Sequence, residues 1–210
     1  MQIITSIYLL LILPFGLISS FTIFSSQSTN LMTTFTIKKG KHFSFPRKIR
    51  PFRKRAKRVQ WKVIFNNDCK YIIKNPDGTT SVDQKDWNKL CGVFYNLYKT
   101  RKDAAMVGWR FNPTKNRIEI APYYHVGGGR DLFKISFMDV NPDDILILEL
   151  DINYEAKIYY WTFTNGTKKV SHQMKFFHNR RRGGFIQFYF GGNQKAPSKV
   201  SAQIEEKLVQ

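Results

Sequence analysis

Acidic side chains, cysteines, clustered histidines and helical patterning are all scarce in this chain, and each scarcity narrows the reading. Only 15 of the 210 residues are Asp or Glu, against 34 Lys or Arg, for a formal charge of +19. Such an excess predicts attraction to polyanions: nucleic acid, anionic lipid or acidic glycans. Two cysteines occur, Cys69 and Cys91. They allow one disulfide in an exported domain, or two reduced, buried residues of about the size of valine. There is no CxxC, and His42, His125, His172 and His178 are scattered. That spacing excludes a sequence-encoded zinc site, so no metal or cofactor is expected. No internal repeat and no linker divide the chain.

What is present is strand pattern. Two apolar, aromatic-rich runs within Met106 to Tyr124 flank the turn-formers Asn112-Pro113-Thr114-Lys115-Asn116. That is the signature of an antiparallel pair. Arg117-Ile118-Glu119-Ile120-Ala121 alternates polar and apolar with period two, as a half-buried strand does. Further strands are predicted at 35–37, 59–65, 69–73, 91–98, 104–111, 132–137, 145–153, 157–164, 167–171, 185–190 and 199–205. Asn66-Asn67-Asp68, Asn75-Pro76-Asp77-Gly78 and Asn141-Pro142-Asp143-Asp144 supply turns. Gly127-Gly128-Gly129 opens another turn; it precedes a strand rather than a helix, unlike a phosphate-binding loop. Asn165-Gly166 closes a tight hairpin, which accounts for the Asn165-Gly166-Thr167 glycosylation pattern. Ser81 to Leu90 is the one place for a short helix, capped by Ser81 or Asp83, with Trp87 and Leu90 on one face. Aromatic content of 15%, with 18 Phe and 10 Tyr, is ample for a core. The expectation is an all-β chain: a single two-sheet antiparallel sandwich or jelly roll over residues 33–207.

Ile3 to Phe24 is an apolar run without a charge, broken by Pro14 and Gly16. About twenty such residues span a bilayer. Residues 1–31 therefore read as a signal peptide, a membrane anchor, or an extension ahead of a true start at Met32. The first two place the domain outside the cell or at a membrane; the third leaves it cytoplasmic. The signal lacks a positive n-region and a small-x-small cleavage site. An anchor with its first basic residues at Lys38, Lys39 and Lys41 would hold the domain inside.

From Lys38 to Lys62 the chain carries twelve Lys or Arg and no acid. Arg47, Lys48, Arg50, Arg53, Lys54, Arg55, Lys57 and Arg58 form its densest part. With the loop Arg180-Arg181-Arg182 they are the candidates for polyanion binding, to nucleic acid phosphates or to an anionic membrane surface. The plainer alternatives are an edge strand blunted by charge and a solvated loop.

Glu149-Leu150-Asp151-Ile152-Asn153-Tyr154-Glu155 is the one carboxylate constellation, with positions 149, 151, 153 and 155 on one strand face. Laminarinase-type glycoside hydrolases use a Glu-x-Asp-x-Glu or Glu-x-Asp-x-x-Glu strand. Here Asn153 and Tyr154 occupy the positions of the second acid, and Glu155 falls one residue beyond. The polar face of a half-buried strand explains the pattern as well. For ligand binding the candidates are Trp109, Tyr123, Tyr124 and Trp161, aromatic residues near loops, some of which alternation assigns to the core.

Gly108-Trp109-Arg110, Asn116-Arg117-Ile118-Glu119-Ile120, Pro122-Tyr123-Tyr124, Tyr159 to Thr164 with Asn165-Gly166, and Tyr189-Phe190-Gly191-Gly192-Asn193-Gln194-Lys195-Ala196-Pro197 occur in this order. In that order they resemble small concanavalin-like jelly-roll proteins of bacteria, partly phage-associated. Members often begin near the equivalent of Phe35-Thr36-Ile37-Lys38-Lys39-Gly40-Lys41-His42. The resemblance covers roughly residues 33–206 and implies a fold, because the group carries no established activity; the long basic segment departs from it. The function expected is binding without catalysis. The ligand expected by fold analogy is a glycan, with a polyanion-binding or phage-derived structural role and a hydrolase as alternatives.

Overall fold

The computed structural model describes residues 31–47, 51–52, 56–95, 102–132, 135–180 and 182–209. Residues 1–30 lie outside it, with the whole apolar run Ile3 to Phe24 discussed above. So do Lys48, Arg50, Arg53, Lys54, Arg55 and Arg181.

Period-two alternation builds the first sheet. In Arg58–Phe65 every second side chain is buried, Val59, Trp61, Val63 and Phe65. In Leu146–Asn153 the same rule buries Leu146, Leu148, Leu150 and Ile152. One face of each strand thus meets the core and the other meets water. Among the described residues the strands are β1 (Thr33–Ile37), β2 (Pro51–Phe52), β3 (Arg58–Phe65), β4 (Asn88–Phe94), β5 (Ala104–Asn112), β6 (Arg117–Val126) and β7 (Gly129–Leu132). They continue with β8 (Met138–Val140), β9 (Leu146–Asn153), β10 (Ile158–Asn165), β11 (Lys168–Lys175), β12 (Gly183–Ile186) and β13 (Val200–Val209).

Two antiparallel sheets result. One runs β1-β13-β3-β9-β10-β11; the other runs β2-β12-β4-β5-β6-β7, with β8 also paired to β6. The fold is the two-sheet jelly roll that the turn spacing predicts. Between the sheets lies one aromatic core. Trp109 stacks on Phe188 at 5.1 Å, Trp61 tilts against Trp161 at 5.5 Å, and Tyr159 stacks on Phe176 at 4.4 Å.

Three local expectations change, and the two alternatives for the cysteines resolve. No strand forms over 69–73: a 3-10 turn at Asn67–Cys69 leads into an extended run with one isolated bridge, Lys74 to Thr80. The helix at Ser81 to Leu90 shrinks to a 3-10 turn at Val82–Lys85, capped by Ser81, one of the two candidates, and Leu90 belongs to β4. The arm after the glycine turn runs over Gly129–Leu132, ending where the expected strand 132–137 was to begin, because Gly127 and Gly128 take positive φ and turn the chain there. Cys69 and Cys91 are buried free thiols rather than a disulfide. Cys69 donates to the Ser201 carbonyl of the first sheet at 3.1 Å, whereas Cys91 lies in β4 of the second.

Candidate binding groove on the outer face of the second sheet

Cross-strand partners project to the same face of a sheet, so the register of β4, β5 and β6 fixes what the outer face presents. The turn at 113–116 pairs Asn112 with Arg117, Arg110 with Glu119, Gly108 with Ala121 and Met106 with Tyr123. Trp109, Phe111, Ile118 and Ile120 therefore point into the core, and Arg110, Gly108, Glu119 and Tyr123 point away from it. A bulge between Lys89 and Cys91 adjusts β4 to this face. Leu90 and Cys91 both join the core, so Lys89 and Gly92 both face outward, opposite Gly108 and Met106.

One row crosses the sheet: Phe43 pairs with Tyr189, Tyr189 with Lys89, Lys89 with Gly108, and Gly108 with Ala121. Lys89 and Tyr189 of this row border a groove of about 1570 Å³, lined also by Trp87, Arg110, Glu119 and Tyr123 among others.

Glycine 108 is set by its neighbour. A Cβ there would lie 3.2 Å from Trp87 Cε3, so the bare backbone lets the indole lie on the sheet. The Arg110 guanidinium carbon sits 4.2 Å from the Trp87 ring centroid, a cation–π contact. Arg110 Nε donates to Glu119 Oε2 at 2.7 Å and its Nη1 to the Lys85 carbonyl at 2.6 Å. Asn112 Nδ2 donates to the other carboxylate oxygen, Oε1, at 2.8 Å, and Lys115 Nζ lies 3.0 Å from the same atom. Burial alone pushes the Glu119 carboxyl up. The hydrogen bonds from Asn112, Arg110 and Lys115, with the Arg110 charge, outweigh that and hold it below its usual range. Asp86, also in the lining, moves the other way: burial and then the Asp83 charge raise it, against the pull of Arg130 and Arg110.

None of the aromatic residues nominated from the sequence offers a platform. Trp109, Tyr124 and Trp161 are fully buried, each at an inward position of its strand. Tyr123 faces outward but is only 6% exposed, packed with Ala104 and Met106 in a second small apolar cluster. The carboxylates of β9 lie on the opposite sheet, away from the groove. Glu149 accepts from Gln60 at 3.1 Å, and Asp151 pairs with Arg58 at 2.5 Å. Glu155 donates its backbone N–H to the Asn153 side chain in the following turn. Glu149 and Asp151 are thus the polar face of a half-buried strand, and Glu155 lies beyond its end.

The described basic candidates are dispersed. Arg47 lies over the Phe43 ring, 4.1 Å from its centroid. Lys57 precedes β3, where Arg58 meets Asp151. Arg180 Nε is 3.5 Å from Asp103, and Arg182 is exposed ahead of β12.

The comparisons add the following. No protein-family model matches the chain. No curated protein matches it either. Among solved structures the chain is similar to a xylan β-1,4-xylosidase from Bacillus halodurans, with TM-score 0.43 and 9% identity over 84% of this chain. It spans only 32% of that enzyme's length. It is also similar to the SPRY domain of human HERC1, with TM-score 0.42 and 13% identity over 85% of this chain and 91% of that one. Arcelin-5, a lectin-like defense protein from Phaseolus vulgaris, gives TM-score 0.37 and 10% identity over 87% and 95%. Likeness of this degree carries no argument about ligand or activity.

Proposed function

We propose that the chain is a non-enzymatic glycan-binding module whose site is the groove on β4, β5 and β6. The size and chemistry of that groove carry the reading. At about 1570 Å³ it exceeds the roughly 300–1,000 Å³ of small-molecule pockets, and suits a segment of a polymer. Its lining mixes donors such as Lys89 and Arg110, acceptors such as Asp83 and Asp86, and hydroxyls such as Thr114 and Tyr189. A ligand rich in hydroxyls, each both donor and acceptor, matches such a mixture. The Arg110–Glu119–Asn112 cluster holds its members before any ligand arrives, which lowers the ordering cost of binding. Glu119, fully engaged and held ionised, supports a structural rather than a proton-donating role. With residues 1–31 acting as a signal or anchor, the module would work at the cell envelope.

Affinity electrophoresis through gels containing single polysaccharides tests the reading. Retardation by at least one glycan, abolished by Trp87→Ala or Tyr189→Ala in protein that keeps its β-sheet circular dichroism, is the expected result. Unretarded migration in every gel would refute it.

A second reading, polyanion binding away from the groove, is favoured by one observation. Strand β2 pairs with β12 through Phe52–Gly183 and Pro51–Gly184. Arg182, exposed, immediately precedes the strand that pairs with β2, and β2 lies within the first basic run of the sequence. The ion pairs of Arg58 and Arg180 weaken it.

A further inference from the structure

Outside the groove, one hairpin carries two exposed phenylalanines and a cluster of lysines. Thr36 of β1 pairs with Phe45, each donating its N–H to the other's carbonyl at 2.8 Å. Residues 37–44 therefore form the bend that joins them. At its tip Lys41 donates its N–H to the Lys38 carbonyl at 3.1 Å, and two more backbone bonds tie Gly40 and Lys41 to Ala196. Lys38, Lys39 and Lys41 of the tip and Lys195 of the adjoining loop are all exposed. Among the described residues none of these four, nor Arg47, lies within ion-pair distance of a carboxylate. Asp68, beside the start of β13, is already engaged by Ser201 and Lys199. On the returning arm Phe43 and Phe45 are 57% and 74% exposed, and Ser44 between them is buried. Alternation along an extended segment puts both rings on one side. Pairing holds them there: Phe45 with Thr36, Phe43 with Tyr189. Arg47 keeps its guanidinium carbon 4.1 Å from the Phe43 centroid.

We propose that this hairpin docks the sandwich on an anionic lipid bilayer, with Phe43 and Phe45 entering the interface and Lys38, Lys39 and Lys41 meeting lipid phosphates. The proposal is independent of the glycan reading. Exposed large apolar side chains beside uncompensated cations suit such a surface: rings leave water for the acyl boundary while the ammonium groups stay among the headgroups. Nucleic acid would attract the same cations, but the neighbouring chain favours a bilayer. The apolar run Ile3 to Phe24 ends with only residues 25–32 between it and β1, the strand that pairs with the returning arm. Fully extended, those residues reach about 26–29 Å. An apolar run long enough to span a bilayer would thus hold the hairpin at the membrane surface.

The test uses the full chain carrying Phe45→Cys or Phe177→Cys, each labelled with an environment-sensitive NBD fluorophore; the native cysteines are buried. Phe177, 71% exposed, follows β11, at the opposite edge of the first sheet from β1. Lys38→Glu with Lys39→Glu is added to the Phe45→Cys protein, and Lys41→Glu serves should that combination fail to fold. Vesicles are phosphatidylcholine alone or an equal mixture with phosphatidylglycerol, with a doxyl quencher on the acyl chains. The expected result is a blue shift and quenching of the label at position 45, and not at position 177, on the mixed vesicles. The lipid concentration at half effect should rise about fivefold or more for each reversed lysine, and should rise with NaCl as the charges are screened. An unchanged label at position 45, an equal response at position 177, or a response on phosphatidylcholine alone that ignores the reversals would each overturn the proposal. Binding of a single-stranded DNA oligomer that the reversals weaken, with no response to vesicles, would assign the lysines to nucleic acid and overturn it too.

Discussion

Replacing Glu119 should be the most damaging single change to the groove that leaves the aromatic core untouched. Its side chain is 3% exposed, and that of its partner Arg110 is 13% exposed. Three donors converge on it, from Arg110, Asn112 and Lys115. Removing one member of a buried pair leaves the other charge without its partner, a loss of about 3–5 kcal/mol. Arg110 keeps its bond to the Lys85 carbonyl and its contact with Trp87, so Glu119→Ala belongs at the lower end, about 3 kcal/mol. For a chain of this size that is a melting-temperature fall of roughly 6–12 °C. Glu119→Gln keeps the shape but turns an amide NH2 toward a donor, and should lose about 1.5–3 kcal/mol. Acid titration separates charge from shape. The folded pKa lies below the unfolded value, so the stabilisation from Glu119 is complete above the usual carboxylate range and is lost as pH falls through the folded pKa. Urea unfolding of wild type and Glu119→Gln between pH 7 and pH 3 should therefore converge at low pH. A Glu119→Ala loss under about 1 kcal/mol, or a gap between wild type and Glu119→Gln that stays constant with pH, would refute the assignment.

Three further outcomes are expected. Gly92→Ala should fold poorly or lose at least about 3 kcal/mol in urea unfolding, because its φ is +141° and a Cβ would run into the Ala105 carbonyl and lie 2.6 Å from Met106 Cα; wild-type stability would contradict the bulge geometry. His178 accepts from the Arg180 backbone N–H at Nδ1 and meets the Tyr159 hydroxyl at Nε2, beside Tyr95 and Asp103; burial pushes its pKa down to about 4. Its contribution is complete above the unfolded value near 6.5 and is lost as pH falls from there toward 4, so His178→Gln should flatten the stability profile in that window. Cys69 and Cys91, buried and with thiols raised well above their ordinary range, should resist a thiol reagent in native buffer and both react in denaturant; rapid labelling of the native protein would refute their burial.

The turns and the first sheet were legible because their signals are local. Asn165-Gly166 and Gly127-Gly128 take the positive-φ or tight-turn roles their composition implies, and β3 and β9 alternate cleanly. The second sheet was harder. In β5 and β6 nearly every residue is buried, on both faces, so period two disappears and nothing local tells which of Trp109, Tyr123 or Tyr124 points inward. The groove residues left one signal: Arg110 and Glu119 are charged positions in apolar runs, equidistant from the turn, and hairpin register places them opposite each other. Trp87, Lys89 and Tyr189 had none, since their place depends on the Leu90 bulge and on a pairing between residues 100 apart. The Glu149 and Asp151 pattern misled because an alternating polar face looks alike whether it lines a cleft or meets solvent.

The most direct test is hydroxyl-radical footprinting of the full chain with and without a saturating concentration of a polysaccharide that it binds. Tyr189 and Val82, the latter 83% exposed, line the groove, while Phe177, 71% exposed, and Ile135, 74% exposed, lie outside its lining. Protection of Tyr189 and Val82 with Phe177 and Ile135 unchanged is the predicted result. Unchanged oxidation of Tyr189 and Val82, or protection confined to the β2–β12 edge, would contradict the groove as the binding site.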